Sequence, residues 1–305
     1  MTVTTNNVTT NNVTAEDVTA EDVTVPSTRR RRPALTVRRW RPGVVASFAF
    51  ILLLIVAAVW PHLLSSTDPN AADIQHTIDP PSSQHWFGTD QNGRDIYARI
   101  VTGARLSLLI GLGASALALV AGSTIGILAA QGGRVVNAVV NRLLDIFLAI
   151  PGLLFVLLVI AVLGPSTRNS IIGLAFITTP GYARVVRGEV IRIRGSVYLE
   201  AARALGWSRA QIVARHLVPN ALGPVLVLAT IGVGAAIGTG SSLSFLGLGP
   251  QAPTAEWGAM LSSSRAYFSV AWWPAIFPGL AITLTVLTVT VAGQFLQLRV
   301  EGRAT

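Results

Sequence analysis

Apolar positions in this chain fall in long unbroken runs, without the period-two alternation of a half-buried strand or the single stripe of a water-facing helix. Six such runs stand out, at about residues 44–60, 106–130, 143–163, 171–186, 221–246 and 274–298. A helix needs roughly 20 mostly apolar residues to cross about 30 Å of hydrocarbon, so the pattern predicts an all-α, polytopic membrane protein with six transmembrane helices. The fourth run is the shortest and holds Pro180-Gly181 and Arg184 near its end. A helix buried inside a bundle tolerates those residues, whereas a lipid-facing one does not. Small residues crowd Gly111-Leu112-Gly113-Ala114-Ser115 and Ile231-Gly232-Val233-Gly234-Ala235-Ala236, which lets helix backbones approach closely and favours a packed bundle over isolated anchors.

Charge sets the orientation. All 23 basic residues are Arg. With the N-terminus inside, 18 of those 23 fall on inside segments and only Arg94, Arg99, Arg105, Arg168 and Arg265 remain outside. The positive-inside bias therefore predicts that both termini face the cytoplasm. The first run begins some forty residues in and lacks a small-x-small cleavage site after Trp60-Pro61, so it reads as a retained helix. Trp60, Trp86, Trp257, Trp272 and Trp273 lie near the outer ends of the runs and read as interfacial anchors.

Composition excludes several chemistries. The chain has no Lys, and a P-loop needs one to reach the β- and γ-phosphates, so it is not by itself a P-loop ATPase. With no Cys, disulfides, thiolate metal sites and cysteine nucleophiles are absent. His62, His76, His85 and His216 lie outside the long apolar runs, and no pair has the i, i+4 spacing of a zinc helix. Gly240-Ser241-Ser242 has no intramembrane His to act as base, so it reads as small residues at a helix contact. For an ion-coupled carrier, Asp145 is the one ionisable candidate, and Arg142 one helical turn back suggests an interfacial ion pair instead. No segment resembles a channel filter.

Outside the runs, the N-terminal tail repeats Val-Thr-Thr-Asn-Asn from Val3 and Val8, then Val-Thr-Ala-Glu-Asp from Val13 and Val18. It buries too little apolar surface to pack and is expected to be disordered. The Arg cluster from Arg29 to Arg41 is expected to hold the first helix against anionic headgroups, with no nucleic-acid partner. Between the first two runs, Phe87-Gly88-Thr89-Asp90-Gln91-Asn92-Gly93-Arg94-Asp95 carries an Asn-Gly turn, and Asp95 is placed to cap the next helix. The EF-hand spacing is missing, so no metal is assigned.

The Arg-rich loop 187–220 is the most informative stretch. It reads as two short helices about a glycine hinge. Ser196 is placed to cap Tyr198-Leu199-Glu200-Ala201-Ala202-Arg203-Ala204-Leu205, and Gly206 supplies the left-handed residue that ends it. Ser208 and Gln211 form a capping box for a second helix, expected to stop at Pro219-Asn220. Such a unit suits a groove on another protein or an interfacial position on lipid, and the spacing leaves both open.

Glu200-Ala201-Ala202, then Gly206, then His216-Leu217-Val218-Pro219-Asn220 resembles the "EAA" loop of bacterial ABC importer permeases. The general pattern ends Ile-x-Leu-Pro; the His-x-x-Pro-Asn ending found here is similar to the dipeptide, oligopeptide and nickel branch. The stretch Gly88, Thr89, Asp90, Gly93, Arg94, Asp95, followed by Thr102-Gly103-Ala104-Arg105, resembles the C-type permease subunit of that branch, as does Arg142-x-x-Asp145 with Pro151-Gly152. The likeness runs from about residue 85 to 298.

The resemblance implies a type I ABC importer permease fold over 103–298, with a coupling loop at 187–220. The rest divides into a cytoplasmic tail (1–42), a first transmembrane helix (43–60), an extracytoplasmic segment (61–102) and a cytoplasmic end (299–305). It further implies that Glu200 to Gly206 contact an ATPase subunit and that His216, Pro219 and Asn220 shape the return into the fifth span. The implied partners are a homologous second permease, two ATP-binding subunits, an extracytoplasmic substrate-binding protein and membrane lipid. No cofactor belongs to this chain; ATP and magnesium would sit on the ATPases. The implied role is a non-catalytic subunit in the bacterial inner membrane importing short peptides, with nickel or another small solute as the alternative. Substrate-lining residues are not legible.

Overall fold

The structure is a computed structural model that describes residues 42–301, which form one compact unit. The N-terminal repeat, the whole Arg cluster and the last four residues lie outside the described residues. Every regular element described is helical, apart from one isolated bridge between Thr89 and Asp95. Helices close all their backbone hydrogen bonds within one segment, which hydrocarbon demands.

Ten α-helices follow in order. They are α1 (Pro42–Val59), α2 (Ile96–Gln131), α3 (Arg134–Ala149), α4 (Gly152–Leu163), α5 (Thr167–Arg194), α6 (Val197–Ala204), α7 (Arg209–Ile212), α8 (Val218–Phe245), α9 (Trp257–Ser264) and α10 (Trp273–Glu301). By length and composition, α1, α2, Gly223–Phe245 of α8 and Trp273–Arg299 of α10 can each cross a membrane, and α3 with α4 can serve as a fifth, broken span. Large apolar side chains such as Leu52, Val120, Leu128, Val162 and Leu287 are more than half exposed. Contiguous apolar surface on that scale belongs against lipid or a partner, not water.

The run at 143–163 is not one straight helix. It breaks between α3 and α4 at Ile150-Pro151 with a bend of 88°. Pro151 lacks an N–H and disfavours helical backbone at the residue before it, and Ile150 is extended, with ψ 128°. The second run also begins earlier than its apolar stretch, because α2 starts ten residues upstream at Ile96.

At the centre, α5 lies along α2. Gly122 and Gly126 of α2 sit directly on the α5 backbone: a Cβ on Gly126 would lie 2.6 Å from the Ala183 carbonyl oxygen. Gly111 lies against the Ile237 side chain of α8. The small-residue runs thus let three helices share one core. Pro180 sits inside α5 and is buried, as expected for a helix shielded from lipid, and Thr179 caps the Ala175 carbonyl with its hydroxyl at 2.7 Å.

Asp145 pairs with Arg184 of α5, 39 residues on, rather than with Arg142. Facing helices bring that guanidinium to the carboxylate, and Arg187 supports the contact by donating from Nε to Asn137 Oδ1 at 2.7 Å. Two of these five tryptophans pack inside the protein and not on its surface. Trp257 and Trp273 are buried, and their indole N–H groups donate to the carbonyls of Ile100 (2.9 Å) and Thr89 (3.3 Å). Trp60, Trp86 and Trp272 are exposed.

Candidate functional site

Residues 195–217 form a bracket at the ends of α5 and α8; the expected loop is shorter than 187–220, because α5 continues to Arg194 and α8 begins at Val218. α5 ends at Arg194, and Ser196 stands at the N-cap of α6 but does not cap it. Its hydroxyl donates backward to the Ile193 carbonyl at 2.6 Å, bracing the corner instead. One face of α6 is rooted: Leu199 is fully buried and Ala202 nearly so. Leu199 joins Val186, Val190 and Ile193 of α5, Ile212 of α7, and Ala221 and Val225 of α8 in one apolar cluster. Glu200, Ala201, Arg203 and Ala204 are exposed, and Val197 and Leu205 project furthest, at 80% and 78% exposure. Of the residues expected to meet a partner, Ala202 therefore faces inward while Glu200, Ala201 and Gly206 face out.

Gly206 takes φ +80°, a conformation L side chains rarely adopt. The Gly206 N–H donates to the Arg203 carbonyl (3.0 Å) and the Trp207 N–H to the Ala202 carbonyl (3.2 Å). This is the paired closure of a Schellman motif, which satisfies carbonyls the helix end would leave open. Ser208 and Gln211 then cap α7 reciprocally: Gln211 N donates to Ser208 Oγ at 3.3 Å and Ser208 N to Gln211 Oε1 at 2.9 Å.

The second helix does not stop at Pro219-Asn220. α7 passes through a π-turn at Val213–Leu217, where the Val218 N–H reaches back to Val213, and continues as α8. Pro219 sits in the first turn of α8, where a missing N–H is tolerated. The Asn220 side chain donates to the His216 carbonyl at 2.7 Å and satisfies a group in the widened turn. The bracket and the span form one continuous rod.

An aromatic knot, not foreseen from the sequence, locks the bracket. The half-buried His216 ring lies 5.0 Å from Trp207 and 5.9 Å from Tyr198, and the Arg215 guanidinium stands 5.7 Å over Trp207. The residues at 198, 207 and 216 recur every nine positions, which was the available signal. Arg194 donates to the Ala130 carbonyl and so ties the corner to the end of α2.

At the other end of the molecule, the 88–95 motif builds a clasp. Thr89 is fully buried; its hydroxyl donates to the His76 carbonyl (2.6 Å) and accepts from Asp79 N (2.8 Å). Asp90 Oδ1 accepts from the Asn92 and Arg94 amides at 2.8 and 3.0 Å. Gly93 has φ +70° and lies hard against the Asp73 backbone, while Gly88 has φ +74° and lies against the Trp273 indole. Asp95 caps α2 by accepting from Ala98 N at 2.8 Å, and its other oxygen meets His85 Nδ1 at 2.8 Å. The buried Arg99 donates to the Pro69 carbonyl at 3.0 Å and approaches Asp90. His76 and Asp73 pair at 2.9 Å on the surface; each raises or lowers the other, with the Asp73 hydrogen bond holding His76 above its ordinary pKa. All six motif residues thus lie in one interlocked turn.

Glu256 belongs to no motif in the sequence. It is buried and caps α9 through the Gly258 and Ala259 amides at 3.0 and 2.8 Å, and it accepts from Ser107 Oγ of α2 at 3.1 Å. Among the described residues, no group of three His, Asp or Glu side chains could hold a metal ion.

Residues 122–305 match the family described as binding-protein-dependent transport system inner membrane component. The dipeptide transport system permease protein DppC of Alkalihalophilus pseudofirmus is 42% identical over 255 residues, covering 84% of this chain and 83% of that protein. The probable D,D-dipeptide transport system permease protein DdpC of Escherichia coli K12 is 38% identical, covering 83% of this chain and 85% of its own length. Among solved structures, an inward-facing MetNI methionine ABC transporter is similar with a TM-score of 0.55 and 21% identity, over 68% of this chain and 96% of that one. That likeness carries the fold alone. With a family match over more than half its length and relatives aligned over most of it, the chain belongs to the binding-protein-dependent transport system inner membrane components, a family of multi-pass transport permeases.

Proposed function

We propose that this chain is a membrane-spanning permease subunit of an ATP-driven importer of short peptides, and that α6 is the handle by which an ATP-binding subunit moves it. One observation carries the reading. α6 offers Val197, Glu200, Ala201, Ala204 and Leu205 outward, while Leu199 roots it in a cluster shared by α5, α7 and α8 and Ala202 is buried. A force on the exposed face therefore reaches three helices as a rigid-body displacement, the motion alternating access needs. The peptide relatives support the choice of substrate.

In this reading the chain has six spans, with α5 as the shielded one. Both termini are cytoplasmic, and the 61–102 segment faces outward in a bacterial inner membrane. The strong Arg bias supports that sidedness. The chain works with a homologous second permease, two ATP-binding subunits and an extracytoplasmic substrate-binding protein. ATP and magnesium sit on the ATP-binding subunits, and selectivity between peptides, nickel and other small solutes lies largely in the binding protein. Glu200, Ala201 and Gly206 contribute the contact surface; His216, Pro219 and Asn220 hold the return into α8; the 88–95 clasp holds the outer segment in shape.

Copurification from mild detergent tests this reading. The expected companions are ATP-binding subunits whose hydrolysis is stimulated by short peptides with the binding protein present. A complex without an ATP-binding subunit, or one whose hydrolysis ignores peptides, contradicts it.

A further inference from the structure

At the level where α2 and α5 end lies a pocket of about 600 Å³ for which the transport reading names no occupant. Two guanidinium groups line it, Arg194 from the end of α5 and Arg203 from the exposed side of α6, together with Gln131 at the end of α2. No carboxylate lines it among the described residues. Trp207 and Leu217 supply an apolar wall. Arg194 is held in place by its bond to the Ala130 carbonyl. The rim is open at Gly133, where a Cβ would meet nothing within 4 Å.

We propose that this pocket binds the headgroup of an anionic phospholipid. The ligand must be anionic, because two cations line the pocket with no acid to balance them, and guanidinium groups engage phosphate oxygens through several N–H donors at once. It must also be part apolar, because the wall opposite is an indole and aliphatic side chains. The ends of bilayer-crossing helices lie at headgroup depth, where a phosphodiester joined to acyl chains meets both demands. The lipid would bridge α2, α5 and α6, and so connect the bilayer to the same bracket that carries the handle.

Native mass spectrometry of the purified full-length chain tests this without any ATPase or transport substrate, so its outcome is independent of the importer reading. The probes are phosphatidylglycerol, phosphatidylcholine and inorganic phosphate. Phosphatidylglycerol adducts should outlast phosphatidylcholine adducts, and Arg203→Gln should weaken phosphatidylglycerol retention about fivefold. The Arg203 side chain is exposed, and the only described contact of the bracket at this residue is through its backbone carbonyl, which Gln keeps, so that variant should fold. Arg192→Gln removes the same charge outside the pocket and should change nothing. Equal retention of the two lipids, equal loss in both variants, or displacement of the lipid by millimolar inorganic phosphate would overturn the proposal.

Discussion

The backbone N–H of Trp207 donates to the carbonyl of Ala202 at 3.2 Å, closing α6 across Gly206. That single turn sets the angle between the outward face of α6 and the rod formed by α7 and α8. Proline at 206 cannot reach φ +80° and removes the N–H that bonds Arg203. Gly206→Pro should abolish peptide uptake in reconstituted vesicles while leaving membrane insertion intact. Gly206→Asn, which tolerates left-handed backbone, should keep most of the activity. Full uptake by the proline variant would refute the role of the turn.

A second prediction concerns the contact between α3 and α5. Arg184 and Asp145 are each more than half exposed, so their pairing contributes only about 0–1 kcal/mol to stability. Asp145→Asn should therefore leave the thermal midpoint nearly unchanged. If the pair steadies the broken span against α5 during the cycle, basal ATP hydrolysis by the whole complex should rise. Exchanging the two residues, Asp145→Arg with Arg184→Asp, should bring it back toward the native rate. A double exchange that behaves like the single variant would remove the pair from the mechanism.

The outer clasp makes a stability prediction. Gly93 combines φ +70° with close contact to the Asp73 backbone. Gly93→Ala carries a conformational cost of roughly 1–2 kcal/mol before any steric overlap. The midpoint of thermal unfolding should fall clearly, and deuterium exchange should quicken over residues 73–95. An unchanged midpoint would mean that the segment is not load-sharing with the bundle.

Local chemistry was legible in the sequence, and long-range partnership was not. Gly206, the Ser208–Gln211 box and the Asp95 cap depend on residues within five positions, and each sits where its neighbours demand. Trp257 and Trp273 looked like interfacial anchors because their partners, Ile100 and Thr89, lie 157 and 184 residues away. Arg184 is likewise 39 residues from Asp145, while Arg142 is only three. Apolar periodicity also hid the bend at Pro151, since hydropathy records burial and not direction. Pro219 read as a stop because a proline ends most helices; a π-turn placed it at the start of one instead. Ser196 occupied its predicted position and used its hydroxyl on the preceding corner.

The account stands on α6 being held by an ATP-hydrolysing subunit. The chain has no native cysteine, so a single Ala204→Cys can carry a short thiol-reactive photocrosslinker in the assembled complex. Adducts with an ATP-binding subunit, altered in yield between nucleotide-free and ATP-bound complexes, are the predicted result. Labelling of the same cysteine by an impermeant maleimide added outside intact cells would contradict it.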